Sequence, residues 1–182
     1  MLYYNSNQTS ATYEFGRQLF QMIASKRQPG QPLIFLCIGS DRATGDSLGP
    51  IVGQKLYKHK FPNLYIYGTL EYPVHAKNLE ETLRQIRLQF HNPFIIAIDA
   101  SLGKASHIGY FTLAEGALKP GAGVGKELPH VGNLHITGIV NLSGMLENSL
   151  LQTTRLHTVM LLAEQIASGI FYCMNKYDKL AS

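Results

Sequence analysis

Two kinds of apolar segment alternate along this chain of 182 residues. The first kind is short and unbroken, as in Leu33-Ile-Phe-Leu-Cys-Ile38 and Phe94-Ile-Ile-Ala-Ile98. Runs of that length, rich in β-branched residues and bounded by turn formers, predict strands buried on both faces. The second kind is spread at helical spacing. Phe15, Leu19, Phe20, Met22 and Ile23 share one broad face and predict a helix over about 10–25, capped by Ser10 or Thr12. Leu79, Leu83, Ile86 and Leu88 do the same for a helix over 77–89. Between them a helix is expected from near Ser47 to about Lys58, and a strand over 64–68, followed by a loop over 69–75. Gln28-Pro-Gly-Gln-Pro32, Phe61-Pro-Asn63 and His91-Asn-Pro93 break the segments apart. A further strand is expected over 109–114, at a sheet edge. A Gly/Pro-rich loop follows over 119–131, then a helix over 133–150 and a last apolar helix from Thr153 or Thr154 to about Asn175.

Alternating strand and helix predicts a mostly parallel sheet covered on both faces. The length suits a single domain over 1–182, and no internal repeat, low-complexity segment or linker divides it. Ligands of such sheets sit outside the carboxyl ends of the strands. Two predicted strands deliver an acid to that edge. The first stops at Gly39 and runs into a polar turn carrying Asp41, Arg42 and Asp46, and the second ends in Asp99.

Composition adds little to this and excludes more. Hydrophobic residues make up 45% and charged residues 15%, as in an ordinary globular protein. The formal charge of +4 is mild, and the cluster Lys55, Lys58, His59 and Lys60 reads as a solvated helix face, so no nucleic-acid partner is expected. Cys37 lies inside a predicted strand and Cys173 in the last helix, where both act as small buried hydrophobes of a reducing compartment. No basic start with an apolar run marks a secretory signal, and no segment is expected to be long enough to cross a membrane. A cytoplasmic protein is expected. Tyr3, Tyr4 and the apolar last helix suggest a surface for a homo-oligomer, although a buried core helix explains the last feature equally well.

Two glycine-rich stretches invite nucleotide readings and fail them. Between Gly39 and Gly45 stand five residues where a phosphate loop has four, and Asp46 occupies the place of the lysine. A carboxylate there repels phosphate. Pro120-Gly-Ala-Gly-Val-Gly-Lys126 follows no strand at the required spacing and reads as a turning surface loop.

The acids remain. Asp46, before Ser47-Leu-Gly-Pro50, can serve as a helix-start acid, and Asp99 can satisfy a nearby turn. Two carboxylates brought near one another do not both ionise cheaply. One then donates a proton while the other accepts one, which suits the activation of water against an amide. The same acids can hold a divalent metal if a third ligand arrives. His130, in Leu128-Pro-His-Val-Gly-Asn133 ahead of the predicted helix, is the first candidate and His135 the second. Ser40, Ser47 and Ser101 are available as nucleophiles, but no nucleophile elbow surrounds them.

The segments Ile38-Gly-Ser-Asp-Arg-Ala-Thr-Gly-Asp-Ser-Leu-Gly-Pro50, Ile96-Ala-Ile-Asp-Ala-Ser101 and Pro120-Gly-Ala-Gly-Val-Gly125 resemble the spore germination protease, an atypical aspartic-type endopeptidase. From about residue 10 to 175 the chain is similar to the YyaC family of sporulation proteins, described as spore proteases and related to that enzyme and to hydrogenase maturation endopeptidases. The resemblance implies a three-layer α/β/α sandwich of the phosphorylase/hydrolase-like kind. It implies a hydrolase of a sporulating or germinating cell, with Asp46 and Asp99 as the catalytic carboxylates. Gly39, Asp41, Arg42, Gly49 and His130 would surround the substrate, and the partner would be a protein, such as the small acid-soluble spore proteins. No cofactor is expected on this reading. Two alternatives stay open. One is a maturation or binding protein with nickel or zinc on Asp46, Asp99 and His130, and the other a non-catalytic sporulation protein. With 133–150 read as helix, no late strand is expected before the final helix, unlike in the maturation enzymes.

Overall fold

The computed structural model describes residues 1–59, 61, 63–120, 128–144 and 147–181. Six strands form one sheet: β1 (Leu2–Asn5), β2 (Leu33–Cys37), β3 (Leu64–Tyr67), β4 (Phe94–Gly103), β5 (Tyr110–Glu115) and β6 (Leu134–Leu142). Their spatial order is β1-β5-β6-β4-β2-β3. The pairs β2–β3, β2–β4 and β4–β6 are parallel, whereas β5 runs antiparallel to β6 and β1 to β5. The helices are α1 (Ala11–Lys26), α2 (Leu48–Tyr57), α3 (Leu79–Gln89), α4 (Glu147–Gln152) and α5 (Leu156–Ala181).

The pleat of β2 explains the layering. Leu33, Phe35 and Cys37 point into a core shared with α1, α2 and α5. Ile34, Leu36 and Ile38 point the other way, into a second core closed by Leu79, Leu83 and Ile86 of α3. Side chains alternate between faces along a strand, so a strand with a core on each side needs apolar residues at every position. The result is a three-layer α/β/α sandwich, as the alternation of segments predicts.

Three features depart from the sequence reading. The segment after Asn133 is not a helix at its start but β6, inserted between β4 and β5. Leu134, Ile136 and Val140 fill the α5-side core and alternate with His135, Thr137 and Asn141, the period of two that marks a strand and that the helical reading overrode. A late strand therefore does precede the final helix. Second, β1 pairs with β5, so the strand over 110–115 is internal and not an edge. Third, α5 is long and apolar enough to cross a membrane by length and composition. Here it is a core helix: Val159, Leu162, Ala163, Ile166, Ile170 and Cys173 are fully buried, and it packs on α1 and α2. One apolar face is thus spent inside the domain, while Leu156 and Met160 stay exposed. Tyr4 is also buried, stacked on Phe111, while Tyr3 stays exposed.

Candidate functional site

The order β3-β2-β4 places a topological switch point at the carboxyl ends of β2 and β4. From β2 the chain crosses through α2 to one side, and from β3 it crosses through α3, on the opposite face, to β4 on the other side of β2. The loops leaving β2 and β4 diverge there and leave a crevice. Asp46 lies in the chain leaving β2, and Asp99 lies in β4 just past its pairing with β2.

Asp46 is brought back to the strand by a tight turn. The Ser40 amide donates to the Asp46 carbonyl over 3.1 Å, closing the loop 40–46, and a short 3-10 turn, Gly45–Ser47, leads into α2. Gly39 adopts φ +136, and a Cβ there would lie inside contact distance of the Asp46 carbonyl. Gly49 likewise lets the first turn of α2 lie on the Ile38 carbonyl. Only glycine permits both approaches. Asp46 does not cap α2. Its carboxyl group is half-buried, and burial pushes its pKa above the ordinary value of 3.8 against the opposing pull of the Ser40 amide and the His75 imidazole.

Asp99 differs from the sequence reading. The strand does not end at it: β4 continues to Gly103, paired with β6, and it is β2 that stops. Cys37 pairs with Ile98, so Asp99 is the first residue of β4 beyond the pairing with β2. It is only 6% exposed, lies beside Thr137 of β6, and its Oδ1 accepts the Ala100 amide over 2.8 Å.

The other residues singled out in the sequence take different positions. Asp41 and Arg42 are exposed at the tip of the turn, where the Arg42 amide donates to Ser40 Oγ over 3.3 Å. His130 is exposed and lies three residues before Asn133, which is tied to Ile95 at the entry of β4 by two hydrogen bonds. His135 is buried in β6, its Nδ1 2.9 Å from the Gly116 carbonyl, a structural contact. Among the described residues no three His, Cys, Asp or Glu side chains come together to hold a metal ion. The set Asp46, Asp99 and His130 therefore does not form a ready-made site for nickel or zinc. Residues 121–127 of the glycine-rich loop lie outside the described residues. Cys37 is fully buried, and burial drives its thiol pKa far up, which removes it as a nucleophile.

The residue that the sequence reading passed over is His75. After Gly68 the chain leaves the sheet and returns at Val74, which bridges to Ile38 and whose carbonyl accepts the Gly39 amide over 2.7 Å. His75 follows at once, next to the turn that holds Asp46. Asn78 fixes it: the His75 amide donates to Asn78 Oδ1 over 2.8 Å, while Asn78 Nδ2 donates to the Pro73 carbonyl over 3.0 Å. His75 Nδ1 is buried without a hydrogen-bond partner among the described residues. A buried imidazole nitrogen left unpaired is rare and costly, and such groups collect at functional sites. The same side chain lines a pocket of about 510 Å³ between the end of β3, α2 and the start of α3. The signal was available: the loop 69–75 follows a parallel strand at its carboxyl end, as the turns carrying the acids do.

Comparison with known proteins shows the family and leaves the chemistry to the site. Residues 3–169 match the family described as "Protein of unknown function (DUF1256)". The chain belongs to that family. It is 50% identical over 145 residues to "Uncharacterized protein YyaC" of Bacillus subtilis (strain 168), covering 80% of this chain and 71% of that one. Among solved structures, a [NiFe] hydrogenase maturation protease, HycI from Thermococcus kodakarensis KOD1, superposes with a TM-score of 0.47 at 17% identity, over 85% of this chain and 99% of that one.

Proposed function

We propose that this family member is a peptide-bond hydrolase of the spore-protease kind, with Asp46 and Asp99 as its working carboxylates. The single observation that carries the reading is the environment of Asp46. It is half-buried in the turn after β2 and within electrostatic reach of His75, which lines an open pocket. Burial favours its protonated form, and a carboxyl group that keeps its proton can act as a general acid. Asp99, whose Oδ1 already accepts an amide N–H, is the acceptor of the pair. In hydrolysis Asp99 would take a proton from water as its oxygen attacks the carbonyl carbon. Asp46 would protonate the leaving nitrogen as the C–N bond breaks, and a proton passing from Asp99 to Asp46 would reset the site. His75 would hold the carboxylate form of Asp46 between these steps.

The substrate proposed from the motif resemblance is a protein of the small acid-soluble spore class, and the setting the cytoplasm of a sporulating cell. The test is a cleavage assay read by mass spectrometry at several pH values. Discrete fragments are expected from the wild type, falling by about 100-fold or more in Asp46→Asn and in Asp99→Asn. Fragments that persist in Asp46→Asn at wild-type rate would overturn the assignment.

A further inference from the structure

We propose that the free edge of β3 seats the substrate: an extended peptide adds to it as a further strand and places an uncharged side chain in the pocket at the strand's carboxyl end. This rests on the hydrolytic reading for its purpose, but not for its geometry. β3 is the last strand in the sheet order, and among the described residues no strand pairs with its outer side. Its sequence, Leu64-Tyr-Ile-Tyr67, contains no charge and no proline, the devices that usually blunt an exposed edge.

The pocket lies around that edge. α2 and α3 cover opposite faces of the sheet, yet both line it, α2 through Gln54 and Tyr57 and α3 through Thr82 and Gln85. A cavity walled from both faces has the edge of the strand as its floor, and Ile66 and Tyr67 of β3 line it accordingly. Tyr57 and Tyr72 stand at its rim, 66% and 72% exposed. The excursion of the chain between Gly68 and Val74 closes the far end, and there His75 belongs both to the pocket and to the surroundings of Asp46. A strand lying along β3 is thereby led to the acid.

The chemistry of the walls selects the ligand. Among the described lining residues, Glu71 is the one carboxylate, and tyrosine, amide and hydroxyl groups make up most of the polar surface. A volume of 510 Å³ falls within the range of ligand pockets, about 300–1,000 Å³. Main-chain pairing with an edge gives affinity without demanding a sequence, and a pocket for alternate side chains adds selectivity.

The test uses hydrogen exchange on the full-length Asp46→Asn protein, so that bound peptide survives. The probe is a pool of blocked hexapeptides randomised over uncharged residues, with a second pool N-methylated at alternate amides. The first pool should slow exchange of the 64–67 amides by about 10-fold. The N-methylated pool should leave them unchanged, and Tyr72→Ala should weaken the protection several-fold. No slowing at 64–67, equal slowing by both pools, or slowing confined to 69–75 would overturn strand addition. Slowing at β3 with no cleavage by the wild type would keep the docking and remove the hydrolytic reading. Cleavage without slowing would do the reverse.

Discussion

The turn after β2 and the middle of β4 each bring an aspartate to the same edge of the sheet, and they do so by opposite means. Asp99 is held by the sheet itself, buried, next to a β6 partner and bonded to the amide that follows it. Asp46 is held by a turn that folds back on two glycines, half-buried, with burial working against its charge. Asp99 is almost fully buried, with the Ala100 amide donating to its Oδ1. Asp46 is placed where its ionised form is disfavoured, next to an imidazole with an unpaired nitrogen. Such local conflict is the mark of a position kept for chemistry.

The contrast can be broken by mutation. The largest effect expected is from Gly39→Ala, which combines a left-handed φ with overlap on the Asp46 carbonyl. It should cost on the order of 4 kcal/mol in a urea titration, and a loss under about 1 kcal/mol would mean the turn is not fixed as described. Asp99→Ala should come next, at about 1–3 kcal/mol, because the Ala100 amide loses its acceptor. A neutral result there would remove the structural half of the comparison.

Asp46→Asn should act in the other direction. The unfolded chain releases this proton near 3.8 and the folded chain holds it to higher pH, so wild-type stability falls as pH rises through that window. The variant carries no such penalty. Its melting temperature should equal that of the wild type near about pH 3 and exceed it at neutral pH. An Asn variant less stable than wild type at neutral pH would show that the carboxylate is braced and not strained. The smallest effect is electrostatic. His75→Ala removes a group that lowers the Asp46 pKa, so the carboxyl titration followed by carbon NMR should move further upward. A downward move would contradict the placement of His75.

Much of the site was legible along the chain because the rule it follows is topological. The apolar runs that stop at Gly39 and at Asp99 point to the carboxyl edge of β2, although β4 itself runs on to Gly103. His75 obeys the same rule but was missed, since its loop contains no recognised motif and a single histidine carries little weight. His130 shows the converse. Its motif context was persuasive, yet no metal-binding group of three forms around it among the described residues.

The sequence alone determined the layers, since an apolar run with no polar face can be buried only between two cores, and β2 and β4 read that way at once. It determined that Gly39 must turn and that Asp46 follows the end of β2, while Asp99 proved to lie within β4. The period of two in Leu134–Leu142 marked a strand, but only the tertiary structure placed it between β4 and β5. Only it paired β1 with β5 and turned α5 from a span apolar enough for a membrane into a core helix. And only it set His75 beside Asp46, because a hydrogen bond from the His75 amide to Asn78 and a bridge between Ile38 and Val74, far apart in sequence, fix where that loop returns.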